Sequence, residues 1–221
     1  MDQAPLALKP VWDLPTRLFH WLLVGLIAFS WWSAEYHHMD WHLLAGLSAV
    51  GLIVFRLIWG LVGGSTARFS DFVRGPRAAV AHIRGDGQEE AIGHNPLGGW
   101  SVLALLLATA AVLGFGLFAV DTDGLESGPL ARFVSFDVGR IAAGLHHTAF
   151  NLLLALIVLH LVAIAYYAVV KRQNLVGAMV TGRKRLPHHA GTLRPAAIGR
   201  LIGAVAVALG IVVLLLRMNG G

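Results

Sequence analysis

Five stretches of the chain, at roughly residues 14–34, 41–62, 98–120, 140–170 and 196–217, each supply the about 20 apolar residues that a helix needs to cross a bilayer. The hydrocarbon core offers no water to pair with backbone N–H and C=O groups, so segments of this kind must be helices. Composition agrees, with 57% hydrophobic and 13% charged residues among 221 and a mean hydropathy of +0.69. The expected fold class is therefore all-α integral membrane.

Local signals set the ends of these helices. Asp13-Leu14-Pro15 offers an N-cap followed by proline in the first turn, and Gly63-Gly64 stops the second span. The fourth, about 30 residues or roughly 45 Å long, must tilt or project beyond the hydrocarbon. All seven tryptophans fall near expected helix ends, where an aromatic belt belongs. Residues 70–84 are too polar to span and predict an interfacial helix broken at Gly75-Pro76. No strand is expected. "GLVGGSTARF" lacks the lysine and the setting of a phosphate loop.

Charge gives an orientation. Twelve cations (Lys9, Arg17, Arg68, Arg74, Arg77, Arg84, Lys171, Arg172, Arg183, Lys184, Arg185 and Arg194) lie on one side of the five spans. The other side holds Arg132, Arg140 and Arg217 with six carboxylates. The positive-inside rule then predicts a cytoplasmic N-terminus, and five spans put the C-terminus on the other, periplasmic side. The N-terminal segment lacks the pattern of a cleavable signal, so the first span is expected to be retained. The net charge of +5 is accounted for by this asymmetry, and no nucleic acid partner is expected.

The chain has no cysteine, which excludes thiolate metal sites, iron–sulfur ligation and covalent haem attachment. Histidine, with 11 copies, is the remaining strong ligand. His146 and His160 are 14 residues apart, which returns them to within about 40° of one helix face and separates them by roughly 21 Å along the axis. His20 lies early in the first span and His42 early in the second, which runs the opposite way. Depth therefore pairs His20 with His160 and His42 with His146. A lone intramembrane histidine could instead bond a carbonyl or serve a proton relay. Two pairs at two depths are what two bis-histidine haems stacked across a membrane require.

Arg56 follows His42 by 14 residues and shares its face at the depth of the His20/His160 pair. Its partner could be a haem propionate or a quinone head, or it could snorkel to the interface. Gly25, Gly46, Gly51, Gly144 and Ala149 are available for close helix approach. His147 points about 100° away from His146 and suits a polar contact. His37, His38, His82, His94, His188 and His189 are expected to be solvated, although His94, in "GHNPLGGW", could brace the third span. A zinc site is disfavoured, because ligands at the H-E-x-x-H spacing are lacking.

Four stretches together resemble the bacterial cytochrome b561 and nickel–iron hydrogenase b-type cytochrome family. They are "PTRLFHW", "WHLLAGLSAVGLIVFRLIWGLVGGSTARFSDFVRGP", "GHNPLGGW" and "HHTAFNLLLALIVLH". The resemblance runs over residues 10–186 and implies a four-transmembrane-helix di-haem bundle with ligands His20, His42, His146 and His160. The family pattern in the fourth helix, a His with an Asn five residues later and a second His fourteen later, matches His146, Asn151 and His160. Residues 187–221, a linker and a fifth C-terminal transmembrane helix, depart from that core.

The expected function is electron transfer across the bilayer between a periplasmic redox partner, such as a hydrogenase or a c-type cytochrome, and the quinone pool. Two non-covalent b-type haems are the expected cofactors, with quinone as substrate and membrane lipid as surroundings. An electron-transfer subunit is expected rather than a complete enzyme. One rival reading is a stand-alone superoxide:quinone oxidoreductase, and another is a non-redox scaffold or transporter.

Overall fold

A computed structural model describes residues 6–84, 92–124, 126–188 and 190–219. Strand β1 (Leu6–Pro10) leads into α1 (Leu14–Glu35) and α2 (Met39–Val62), and the short α3 (Phe69–Phe72) and α4 (Pro76–Arg84) follow. Next come α5 (Pro96–Phe118), a 3-10 turn at Ala131–Phe133, and α6 (Phe136–Val169). The chain continues through α7 (Leu175–Thr181), β2 (Arg183–Pro187) and α8 (Ile198–Asn219). Helices α1, α2, α5, α6 and α8 are long and apolar enough to span a membrane, and their limits agree with the expected windows to within a few residues. The chain is an all-α integral membrane protein. The expected break at Gly75-Pro76 separates α3 from α4.

Burial follows the membrane logic. The most apolar window of α6 is only 6% buried inside the protein, whereas that of α2 is 50% buried. Lipid takes the role of core for the outer faces, so exposed leucines and valines along these helices carry no penalty. Helix α2 is the one most enclosed by protein.

The chain divides into two compact units. The first comprises the described parts of Met1–Leu18, Leu57–Leu103 and Leu159–Ile202. In it β1 and β2 pair antiparallel, from Leu6 with Pro187 to Pro10 with Arg183. This sheet corrects the expectation of a strand-free chain. Five residues are too few for an alternating pattern to stand out, and the pairing joins segments far apart in the sequence. The pairing continues past the strands, because the N–H groups of Val11 and Trp12 both donate to the Gly182 carbonyl, at 2.8 and 3.1 Å. Gly182, at φ 77°, also ends α7, and Asn174 caps the start of that helix by accepting the Gly177 N–H at 2.6 Å. Val11, Ala178 and Leu186 form the small core beneath.

In the same unit Asp13 does what its position predicts, accepting the Thr16 N–H at 2.9 Å as N-cap of α1. Its second oxygen accepts the Trp59 indole N–H at 3.0 Å. Trp59 is therefore buried within the protein, which corrects its assignment to the aromatic belt, whereas Trp21, Trp31, Trp32, Trp41 and Trp100 are exposed. His94 packs between Trp12 and Phe72 with tilted rings, their centres at 4.5 and 4.6 Å. The adjacent Asn95 caps α5 through the Gly98 N–H at 2.6 Å and donates to the Tyr167 hydroxyl at 2.6 Å. "GHNPLGGW" thus braces the start of α5, and His94 is packed rather than solvated.

The second unit comprises Phe19–Arg56, Ala104–Val158 and Gly203–Gly221, described as far as residue 219. Ala108, Val112, Ala149 and Leu153 bring α5 and α6 together, small residues allowing close approach. Helix α8 packs on α2 at Gly51, where an added Cβ would stand 2.7 Å from Val212 Cγ2 and 3.8 Å from the Ala208 carbonyl oxygen. Gly25, Gly46 and Gly144, also expected to serve close approach, do not: a Cβ added at any of them would meet nothing within 4 Å. Helices α1 and α2 join through a tight turn in which His37 takes a left-handed φ of 59° and the His38 N–H donates to the Ser33 carbonyl at 2.8 Å. His189 and the side chain of His82 lie outside the described residues.

Candidate functional site

Residues of α1, α2, α5 and α6 in the second unit line a cavity of about 400 Å³. That volume lies within the range of cofactor pockets. His42 enters from α2 and His146 from α6, with ring centres 6.0 Å apart and ring planes at 84°. Two imidazoles binding one metal from opposite sides, each with a metal–nitrogen distance of about 2 Å, hold their ring centres about 6 Å apart. The spacing suits a metal bound between them.

Hydrogen bonds fix which ring nitrogen would face the metal. His42 Nδ1 lies 2.9 Å from the Ser30 carbonyl oxygen, and His146 Nδ1 lies 2.8 Å from the Val112 carbonyl oxygen. A carbonyl can only accept, so Nδ1 carries the proton in both rings and Nε2 keeps its lone pair. A metal-ligating histidine is held in this way, with one nitrogen donating to a fixed oxygen and the other turned to the metal.

Glycines make the space. Gly116 presents no side chain to His146, and a Cβ there would stand 3.0 Å from Nδ1. Gly46, one turn after His42, lines the cavity, and nothing lies within 4 Å of the place its Cβ would take. This open wall of the slot is where a flat macrocycle needs room. Non-covalent haem matches the whole set: two imidazoles with available Nε2 atoms, an apolar slot and no thiolate.

His147 and Asn151, which the sequence did not assign as ligands, also line the cavity, and the His147 ring centre is 6.0 Å from that of His146. Arg56 belongs to the second unit and is 2% exposed, which places it inside the protein and not at a snorkelling position. His20, in the second unit, is half-buried with its ring edge-to-face against Trp21 at 4.9 Å. His160, in the first unit, is half-buried on α6. The expectation that His20 pairs with His160 comes from the sequence alone. Among the described residues no three or more His, Cys, Asp or Glu converge on one point, so no zinc-type cluster is formed there.

Sequence reasoning missed Ser30 and Gly116. A signal for Ser30 existed: residues 30 and 42 are equidistant from residue 36 at the α1–α2 turn, so they face each other across the hairpin. Gly116 carried no such signal, because its role depends on how α5 meets α6.

Neither a search of curated proteins nor a search of solved structures returned a match. A scan against protein families matches residues 11–182 to the family described as prokaryotic cytochrome b561. The matched stretch contains α1, α2, α5 and α6, with His20, His42, His146 and His160 all inside it, and ends before α8. The chain therefore belongs to the prokaryotic cytochrome b561 family and is a membrane-embedded b-type haem electron-transfer protein.

Proposed function

We propose that this protein carries electrons across a bacterial inner membrane between a periplasmic redox partner and the quinone pool, using two b-type haems. The observation that carries the reading is the His42–His146 pair, 6.0 Å apart with both Nδ1 atoms committed to backbone carbonyls. When bound, haem supplies a one-electron iron couple.

The chain's own residues bind, orient and insulate that couple. His42 and His146 hold the periplasmic-side haem, with Ser30 and Val112 fixing the rings. His20 and His160 hold the cytoplasmic-side haem, and Arg56 offsets negative charge beside it, from a propionate or a quinone head. Helix rise separates the two levels by roughly 21 Å along α6, which divides the membrane crossing into shorter transfers. The concentration of cations at the ends of α2, α4 and α6 supports a cytoplasmic N-terminus. Residues 121–140 then form the periplasmic surface that meets the redox partner.

Haem stoichiometry and reduced-minus-oxidised spectra of the purified protein test the proposal. Two b haems are expected in the parent, and one in each of His42→Ala, His146→Ala, His20→Ala and His160→Ala. Loss of haem in His147→Ala with both retained in His146→Ala would overturn the ligand assignment. Reduction of quinone from superoxide by the isolated protein, with no copurifying subunit, would favour the stand-alone enzyme instead.

A further inference from the structure

The two histidines of the cavity are held differently. His146 Nδ1 has the Val112 carbonyl as its acceptor, at 2.8 Å. His42 Nδ1 meets two oxygens of one residue, the Ser30 carbonyl at 2.9 Å and the Ser30 hydroxyl at 3.1 Å. The carbonyl contact makes Nδ1 the donor, so Ser30 Oγ acts toward this ring as a second acceptor. A third group enters from the next turn of α1. Ser33 Oγ donates to the same Ser30 carbonyl oxygen at 2.9 Å, and Ser33 is wholly buried at 0% exposure.

We infer that Ser30 and Ser33 are positioning residues that set the electron-donating strength of His42, and through it the redox potential of the haem held by His42 and His146. The inference rests on the haem assignment made above. An acceptor on Nδ1–H makes an imidazole a stronger donor at Nε2. A more basic imidazole at a bound haem would favour the oxidised iron and lower the potential.

The two serines act with opposite sign. Ser30 Oγ adds to the pull on the His42 proton. Ser33 competes for the Ser30 carbonyl, because a carbonyl already accepting one hydroxyl proton attracts a second donor less. The pair is a counterbalanced adjustment on one ligand, whereas His146 has a plain backbone anchor. A serine in a helix often back-bonds to a carbonyl within its own turn with no wider consequence. What sets this pair apart is that the shared carbonyl belongs to the residue that orients the ligand.

The test is a potentiometric titration of the purified protein carrying both haems, with parent, Ser33→Ala, Ser30→Ala and Ser30→Thr compared. Ser33→Ala frees the Ser30 carbonyl, so the midpoint of one haem falls. Ser30→Ala removes the second acceptor, so the same midpoint rises. Ser30→Thr keeps the oxygen and returns it toward the parent value. The other haem's midpoint stays unchanged throughout. With both haems retained, midpoints that do not move, or that move in the same direction in both alanine variants, overturn the inference. A parent that takes up no haem overturns the haem assignment itself, and this inference with it.

Discussion

Trp59 donates its indole N–H to Asp13 Oδ2 at 3.0 Å, while the other oxygen of that carboxylate accepts the Thr16 N–H at the start of α1. One side chain thus caps α1 and ties it to the end of α2. Replacement by alanine removes both bonds, at about 1 kcal/mol for the cap and about 1.5–3 kcal/mol for a hydrogen bond to a charged group. Asparagine offers one acceptor oxygen in place of two, so Asp13→Asn keeps only one of the bonds. Thermal unfolding in detergent is expected to rank the parent above Asp13→Asn, and Asp13→Asn above Asp13→Ala. Equal stability of the three would show that the junction contributes nothing.

Gly46 separates volume from chemistry at the cavity. Its Cβ would meet no protein atom within 4 Å, so Gly46→Ala is expected to fold as the parent does. Gly46→Phe fills the slot that the macrocycle needs, and haem content is expected to fall below that of the parent. The measurement is haem per protein by pyridine haemochrome assay, and a Gly46→Phe protein with unchanged stoichiometry would place the haem elsewhere.

Gly182 takes a φ of 77°, and a Cβ there would stand 2.8 Å from the Trp12 carbonyl oxygen. A left-handed backbone costs an L-residue roughly 1–2 kcal/mol, and the contact is with backbone that the β1–β2 pairing holds in place. Gly182→Ala is therefore expected to lower the melting temperature. Hydrogen exchange at the Val11 and Trp12 amides, both bonded to the Gly182 carbonyl, should accelerate in the same variant. Unchanged protection would mean that the turn adapts without loss.

The five spans were legible because burial in lipid imposes one rule over some 20 consecutive residues, and a rule of that length survives local exceptions. The His42–His146 pair was legible for a related reason. Helix periodicity and alternating direction convert sequence separation into depth. The β1–β2 sheet was not, since five-residue strands far apart in the chain carry no mutual signal. Trp59 resembled an interfacial tryptophan by position, and only the carboxylate of Asp13 facing it reveals an internal role. His94 shows the same limit, because Trp12 and Phe72, which enclose it, are remote in sequence.

Helix α8 lies beyond the family match, and its contact with α2 at Gly51 can be tested apart from haem binding. A Cβ at Gly51 would stand 2.7 Å from Val212 Cγ2, a side-chain methyl that can shift, so Gly51→Ala should cost little. Gly51→Leu cannot be absorbed in that way, and overpacking of this kind typically costs about 1–3 kcal/mol. Val212→Ala in the same chain makes room for the larger residue. The double variant is therefore expected to be more stable than Gly51→Leu alone, which gives a favourable coupling energy in a double-mutant cycle. Haem content should stay at the parent level in all of these variants, because neither Gly51 nor Val212 lines the cavity. Additive effects of the two substitutions would mean that α8 does not hold its place on α2 through this contact.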